Sequence, residues 1–325
     1  MGSVGHRGFI IQVDDIALWV SFMAFIKEQQ SKIFDDGLSI PPWVFRGQAN
    51  SEWGLTSGFE RLFGSSRSED ELCAIERRSM NLFRELSYGD ANGLSDAELL
   101  AHMQHYGVPT RLVDFTEAPL ISLYFALQDD RFDTFAVWAT QSTGVNSFYD
   151  RETRLDAVCR APVGVRQVHS LALDSTRINN SRREQVDRNV FGQLISGGEE
   201  SLTLKNRIAL AMYKPVKPNP RMRAQRGLFF ASTNLARPFE SAYYEWKYFE
   251  RKSFEREERP LSIIFKDKRV LLDSIANADA FKFEFPAAMR AEARAYLELA
   301  NVRPSDLFPD FEGVAKEVSQ EMKRV

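Results

Sequence analysis

Cysteine and histidine are scarce in this sequence, which has two cysteines and four histidines among 325 residues. Cys73 and Cys159 stand far apart, so they offer neither the spacing of a metal site nor a disulfide framework. Zinc sites need four clustered ligands, and disulfides need an oxidising compartment. The sequence therefore predicts no metal site and favours a reducing compartment.

Several other signatures are missing as well. There is no glycine-rich phosphate loop of the P-loop or dinucleotide-binding type, and no Gly-x-Ser-x-Gly nucleophile elbow. No apolar run is long enough to span a membrane, and the N-terminus lacks the layout of a signal peptide. A net charge of -3 argues against general electrostatic binding of nucleic acid. We expect a cytoplasmic protein without a membrane partner.

What is present is an ordinary globular composition, with 44% hydrophobic and 27% charged residues and 25 phenylalanines for the core. Helical and strand-like segments alternate without repeats or clear linkers. This predicts an α+β fold in a single composite domain. Residues 1–40 would form an N-terminal strand and helix that lead into the core. Residues 41–315 would form the domain, with core motifs at 43–127 and an insertion at about 141–220. Residues 316–325 would end a C-terminal helix.

The densest group of polar side chains lies between residues 104 and 116, and comprises Gln104, His105, Tyr106, Thr110, Arg111, Asp114 and Thr116. Gly107 and Pro109 predict a tight turn within this segment. A short buried strand is expected at Leu112-Val113. Pro119 suits the first turn of a helix, and Leu120, Leu123, Tyr124 and Leu127 recur at helical spacing. The polar groups should gather where these elements meet.

A second informative segment is the aromatic run from Trp43 to Gln48, which predicts a strand ending at Gly47. Alternation on a strand points Val44 and Arg46 one way and Trp43 and Phe45 the other. An arginine at such a position is a good clamp for an anion or a ribose, because its planar fork binds bidentately. The alternative is a structural arginine paired with a carboxylate such as Asp114.

Further elements follow from apolar spacing and capping residues. Strands are predicted at 8–13, 134–140, 261–265 and 281–285, and residues 221–231 should run from a loop into a strand. Helices are predicted from about 14 to 29, from 67 to 86 with Leu82 and Leu86 among the buried residues, from Ser95 to the Gln104 turn, at 268–275, at 287–299, and after Gly313. Residues 141–205 give no readable pattern.

Three pieces of the sequence resemble the FRG-domain family: Phe45-Arg46-Gly47-Gln48, the block from Gln104 to Thr116 with Leu123-Tyr124-Phe125-Ala126, and the late Leu307-Phe308-Pro309-Asp310. The resemblance covers roughly residues 40 to 130, with weaker extension to about 315. This family is often found in prokaryotic and phage-linked proteins. Membership would imply a toxin- or defence-type effector, and it names a fold more than a reaction.

A second, weaker resemblance is to mono-ADP-ribosyltransferases. Phe45-Arg46-Gly47 is similar to their first-strand motif, and the strand at 112–116 followed by Leu123-Tyr124-Phe125-Ala126 is similar to their second. Their third motif supplies a glutamate, whereas here Gln225 precedes Arg226-Gly227. Glutamine lacks the negative charge that stabilises a ribosyl oxocarbenium ion. Having Gln225 in place of the glutamate favours nucleotide binding over ADP-ribosyl transfer.

The leading hypothesis is an effector whose ADP-ribosyltransferase-like cleft handles NAD, as substrate, or another nucleotide, and acts on a protein or nucleic-acid target. Arg46, His105, Asp114 and Gln225 would then be the catalytic candidates. The ligand-binding candidates are Gln48, Gln104, Tyr106, Thr110, Arg111, Thr116 and Gly227. We expect Arg46, His105, Arg111, Asp114 and Gln225 to converge in one pocket. The alternatives are a non-catalytic sensor that binds a partner and, less supported, a nuclease using His105 with Asp114.

Overall fold

A computed structural model describes residues 7–13, 43–64, 66–91, 93–141, 210–215, 218–232, 234–243 and 278–322. Within these residues the chain forms one seven-stranded sheet, in the order β1-β7-β4-β2-β3-β6-β5. The strands are β1 (Arg7–Gln12), β2 (Trp43–Gln48), β3 (Leu112–Thr116), β4 (Thr134–Gln141), β5 (Leu210–Tyr213), β6 (Gly227–Ser232) and β7 (Ala278–Pro286).

Helices flank this sheet in the described residues. They are α1 (Gly58–Phe63), α2 (Glu69–Leu86), α3 (Asp96–His105), α4 (Pro119–Ala126), α5 (Pro220–Ala224), a 3-10 turn (Ala287–Met289) that leads into α6 (Arg290–Leu299), α7 (Pro304–Leu307) and α8 (Phe311–Met322). Residues 239–243 are also helical. No helix in the described ranges is long and apolar enough to cross a bilayer.

Six of the strands pair antiparallel, from β7 through β4, β2, β3 and β6 to β5. The edge strand β1 pairs with β7 in parallel. Helices interspersed with a mainly antiparallel sheet define an α+β protein, as the sequence predicts. The division of the chain into segments stays a prediction.

Capping residues fix where the longer helices begin. Ser95 accepts a hydrogen bond from the main-chain N–H of Glu98, and the Glu98 carboxylate accepts one from the N–H of Ser95. Ser68 and Glu71 make the same reciprocal capping box at the start of α2. Each box satisfies main-chain donors that a helix leaves unpaired at its first turn. The predicted start of α3 at Ser95 is therefore confirmed.

The two faces of β2 enter different parts of the core. Trp43 and Phe45 are buried in a cluster with residues of α4, β4 and β7. Val44 instead packs in the cluster that contains Phe115 and Trp138. This confirms the alternation predicted for the strand, and it puts Arg46 on the same side as Val44.

Helix α4 lies directly on the backbone of β2. Pro119 occupies its first turn, as predicted, and Leu123 and Tyr124 are buried. A methyl group at Gly47 would lie 1.8 Å from the carbonyl oxygen of Ser122 and 2.6 Å from the main-chain nitrogen of Ala126. Only glycine leaves room for the helix at this distance.

Some predicted boundaries and burials are wrong. Strand β2 ends at Gln48, one residue later than predicted. In α2 the buried residues are Leu72, Glu76 and Met80, so a carboxylate takes an interior position. Leu82 and Leu86 near the end of that helix are exposed and not buried as predicted. Residues 220–224 form helix α5 where a loop was expected, and α8 already begins at residue 311.

Strands β1, β4 and β7 and helix α6 lie where the sequence predicts them, within one to three residues. The predicted helices at 14–29 and 268–275 and the strand at 261–265 lie outside the described residues. The same holds for nearly all of the insertion at 141–220, apart from β5 and the start of α5.

The contact at Gly47 generates a stability prediction. Gly47→Ala should lower the free energy of unfolding by about 3 kcal/mol, because the new methyl group collides with main-chain atoms that cannot rotate away. Gly227→Ala is the matched control, since the nearest atom to its added methyl group is 3.7 Å away. Urea denaturation of both variants measures the difference. Equal stability of the two variants would contradict the close packing of α4.

Candidate functional site

The sheet opens between its two central strands, β2 and β3. They share a single register pair, Phe45 opposite Thr116, whereas β2 and β4 pair along six positions. At the opening, Nη1 of Arg46 donates a hydrogen bond of 2.8 Å to the main-chain carbonyl of Asp114. A side-chain donor thus takes over where main-chain pairing ends, and this bond fixes the guanidinium between the two strands.

The Asp114 carboxylate stands beside this guanidinium without closing on it. Oδ2 of Asp114 lies 3.8 Å from Nη1 of Arg46, and the side chains are 59% and 19% exposed, respectively. Gln104 holds the carboxylate by donating a 2.9 Å bond from Nε2 to Oδ2. Thr110 in turn donates to Oε1 of Gln104 at 2.5 Å, which fixes the orientation of the amide. These four polar side chains form one connected group.

Arg46 keeps unused capacity to bind. Its Nε is buried and has no hydrogen-bond partner among the described residues. Burial lowers the pKa of Arg46, the Asp114 charge opposes that shift, and the positive charge of Arg61 adds to it. The guanidinium remains protonated at neutral pH. The opening therefore holds more positive charge than Asp114 neutralises, which suits an anion.

The loop that follows β2 is held by a buried network. Gln48 donates from Nε2 to the carbonyl of Gly54 at 3.0 Å, and its Oε1 accepts a 2.6 Å bond from the Trp138 indole. The hydroxyls of Ser51 and Thr134 lie 2.6 Å apart. Both ends of the buried Gln48 amide make one such bond, and its role in binding a ligand stays a prediction. Gln48 positions the loop beside Arg46.

Arg111 does not face the opening. Its guanidinium is buried and pairs bidentately with Glu76 of α2, through a 2.7 Å bond from Nε to Oε1 and a second bond from Nη2 to Oε2. A ligand would reach Arg111 only after this pair had opened. The geometry gives Arg111 the task of anchoring α2 to the start of β3.

Thr116, Gln225 and Gly227 lie together where β3 ends, at the residue of β3 that pairs with Phe45. The Thr116 hydroxyl donates a 2.7 Å bond to the carbonyl of Gln225 and accepts a 3.0 Å bond from the N–H of Ala118. The Gln225 side chain donates to the carbonyl of Leu307 at 3.2 Å. Gly227 is the first residue of β6 and pairs with Thr116. Here Gln225 joins α5, β3 and α7.

His105 is the last residue of helix α3, and Tyr106 follows it as the C-terminal cap. Their rings contact edge to face at 4.8 Å between centroids, and Tyr106 is mostly exposed. Burial and the positive charges of Arg221 and His102 lower the pKa of His105, while Asp310 and Glu312 oppose the shift. The charges that act on His105 thus come from α3, α5 and the region where α8 begins, whereas Asp114 contacts Arg46 and Gln104.

The predicted convergence is therefore partial. Arg46 and Asp114 meet, and Gln104 and Thr110 join them. The contacts of His105, Arg111 and Gln225 run to other parts of the fold. No group of three or more His, Cys, Asp or Glu that could hold a metal ion occurs within the described ranges. The nuclease alternative gains no support from these ranges.

Comparison with known families places a match at the centre of this region, because residues 41–134 fit the model of the FRG domain. The chain contains an FRG domain. The match includes β2, the opening beside Asp114 and helix α4, and its bounds agree with those inferred from the motifs. Searches of curated proteins and of solved structures return no significant match.

The three residues that give the FRG domain its name have three physical tasks in this chain. Phe45 is fully buried in the core under α4. Arg46 reaches into the opening of the sheet. Gly47 makes room for the helix backbone. One arginine thus carries the polar chemistry, while its two neighbours fix where it stands.

Sequence reasoning missed two buried carboxylates in and beside the FRG domain. Glu76 could have been found, since it falls four residues from both Leu72 and Met80 on the buried stripe of α2. Glu117, which follows β3, is buried with Lys214 in contact and Nη2 of Arg226 at 3.8 Å. No sequence signal could have found Glu117, because its partners lie about a hundred residues away.

Two ion pairs of the FRG domain, Arg111 with Glu76 and Arg46 with Asp114, should respond differently to mutation. Arg111→Met should lower the free energy of unfolding by about 3–5 kcal/mol, because it leaves the buried Glu76 carboxylate unpaired. Asp114→Asn should cost less than about 1 kcal/mol, since that pair is long and exposed. Chemical denaturation tests both. The double variant Glu76→Met with Arg111→Met should recover much of the loss, and a loss as large for Asp114→Asn would make Asp114 structural.

The surroundings of His105 predict a pH dependence. Its folded-state pKa lies below the ordinary value of about 6.5 in the unfolded chain, so its contribution to stability is present above that pH. The contribution is lost as the pH falls through the folded-state pKa. NMR titration of the His105 ring should show the lowered pKa, and Arg221→Gln should raise it. An unchanged pKa in that variant would contradict the proximity of Arg221.

Proposed function

We propose that the FRG domain binds an anionic nucleotide of the NAD type at the opening between β2 and β3, with Arg46 as the main contact. The observation that carries this proposal is the state of Arg46. Its charge is largely buried, its Nε has no partner among the described residues, and its nearest carboxylate stays 3.8 Å away. A buried charge without close pairing is costly unless another group completes its surroundings.

The bonding pattern of Arg46 favours a phosphate over a neutral ligand. Phosphate oxygens accept parallel hydrogen bonds from the planar guanidinium fork, and charge-assisted bonds of this kind are about twice as strong as neutral ones. The nearby charge of Arg61 adds attraction for an anion. Binding would remove the repulsion between the two arginines.

Asp114 and Gln104 provide the complementary polar groups that a ribose needs. The exposed carboxylate of Asp114 can accept hydrogen bonds from hydroxyl groups, while its contact with Gln104 keeps it in place. A ligand that carries both a phosphate and a neighbouring pair of hydroxyls fits this arrangement better than either group alone. Nucleotides, NAD among them, have that combination.

The described geometry supports binding more than group transfer. By order along the chain, Gln225 is the residue that corresponds to the glutamate of a transferase, and its side-chain amide donates to the carbonyl of Leu307. A neutral amide supplies no negative charge to a developing oxocarbenium ion. We therefore propose nucleotide capture as the activity of this domain. We also propose that this activity serves a toxin- or defence-type effector. Measuring the growth of cells that express the chain tests this role.

Calorimetric titration of the purified chain with NAD, ADP-ribose and ATP tests the proposal. Arg46→Ala should weaken binding about 10- to 100-fold, the value of one or two charge-assisted hydrogen bonds. Arg131→Ala is the control, because Arg131 is an exposed arginine of the same domain that pairs with Asp129 on the surface. Arg131→Ala should leave affinity unchanged.

Three further outcomes decide between nucleotide capture and the alternatives. A folded wild type that binds none of the three nucleotides would reject the proposal and favour a module that recognises a protein partner. Binding that survives Arg46→Ala would move the site elsewhere. Release of nicotinamide from NAD by the wild type, lost in Arg46→Ala, would add catalysis, and growth inhibition that vanishes with it would support the effector role.

A further inference from the structure

The last described helix, α8, presents an apolar stripe to solvent. Phe311, Val314, Val318 and Met322 are 90%, 51%, 54% and 73% exposed, and their spacing of three, four and four residues brings them onto one face. Single exposed apolar residues are common on protein surfaces, but a continuous stripe of four marks an interaction site.

The contacts that α8 makes with the rest of the chain lie on its other face, so this stripe faces solvent. A methyl group at Gly313 would lie 2.0 Å from the carbonyl oxygen of Phe308, so the helix packs there through its backbone. Lys316 lies 3.7 Å from the centre of the Phe308 ring, and Glu317 accepts a 3.2 Å bond from the N–H of Ser305. At about 100° per residue these positions fall roughly opposite the stripe. The usual arrangement, with the apolar face inward, is reversed.

We propose that the stripe is a dimer interface, on which α8 of a second copy of this chain packs antiparallel about a twofold axis. The order of side-chain sizes is the same from either end: large, small, small, large. An antiparallel pair brings Val314 close to Val318 of the second copy, so the helix centres approach closely. It also brings Phe311 to Met322 of the second copy, a favourable sulfur–aromatic contact. Such self-complementarity is what a twofold interface requires.

The exposed apolar area of the stripe agrees with a second copy of this chain as its partner. Ordinary side-chain areas give roughly 500 Å² of exposed apolar surface on one helix, at the upper end for a monomer. Two copies together would bury about 1,000 Å², the lower limit of a specific protein interface. A concentration-dependent dimer follows, rather than an obligate one.

The charges of α8 argue against a membrane as the occupant. Helices that lie on lipid surfaces carry lysine and arginine on the polar face. The polar side of α8 instead has Glu312, Glu317 and Glu321 with Lys316 as the only described base. The described helix therefore has no net positive charge that would attract it to anionic lipid.

Sedimentation velocity of the full chain from about 1 to about 100 µM tests the dimer. The wild type should shift from 37.2 kDa toward twice that mass, and Val318→Lys should weaken association at least about 10-fold. Leu82→Lys is the matched control, since Leu82 is 51% exposed on α2, outside the stripe. Leu82→Lys should associate like the wild type, and unchanged urea midpoints would show that both variants fold.

The direction of packing has its own test. A mixture of Val314→Glu and Val318→Lys chains should form mixed dimers in an antiparallel pair, since position 314 faces 318, while each variant alone stays monomeric. A wild type that remains monomeric throughout, or a Val318→Lys chain that dimerises as well as the wild type, overturns the proposal. Binding of monomeric wild type to phosphatidylcholine vesicles would assign the stripe to lipid and overturn it too. None of these outcomes depends on nucleotide binding.

Discussion

Direct contact between the backbone of β2 and helix α4 constrains the rest of the FRG domain. With no side chain at Gly47, the helix sits on the strand through main-chain atoms of Ser122 and Ala126. Phe45 and Trp43 are then sealed beneath the helix, and the strand cannot rotate about its axis. Because neighbouring residues alternate in direction, fixing Gly47 also fixes where Arg46 points. The position of the polar residue follows from the packing of the apolar ones.

Two ion pairs of this protein differ in what they do: one anchors a helix, and the other leaves its charges accessible to a ligand. Arg111 and Glu76 form a close buried pair that ties α2 to β3. Arg46 and Asp114 stand near each other without closing, and each is held by a neutral partner, a carbonyl in one case and Gln104 in the other. A closed pair is a poor site for a ligand, because a ligand must first replace one member. An open pair retained by neutral groups keeps both charges accessible.

Much of this arrangement could be predicted from local sequence. The capping box at Ser95, the proline at the start of α4 and the alternation in β2 are short-range signals, and each is confirmed. The pairing of Arg46 with Asp114 is also among the predictions from the sequence, where it is the structural alternative for that arginine. Local signals suffice where a few neighbouring residues decide the outcome.

Other features depend on contacts between residues that are distant in sequence. The apolar periodicity of the sequence does not indicate such contacts. Arg111 belongs to the densest polar segment, yet its partner lies 35 positions earlier on a helix whose pattern appears wholly apolar inside. His105 belongs to the same sequence motif as Asp114, but the charges that shift its pKa come from His102, Arg221, Asp310 and Glu312. Closeness in sequence predicts that His105 and Asp114 lie in one cluster. The turn at Gly107, which has a positive φ, comes between the helix that ends at His105 and the strand that contains Asp114.

The placement of β7 has a consequence for how the protein folds. This strand, from near residue 280, lies between β1 at the beginning of the described chain and β4 in the FRG domain. During synthesis the edge of β4 therefore stays unpaired for more than a hundred residues. Contacts between such distant segments slow folding, since a long loop must close before they form. An open strand edge is also a template for pairing with other chains, so this edge of β4 is open to such pairing until β7 emerges.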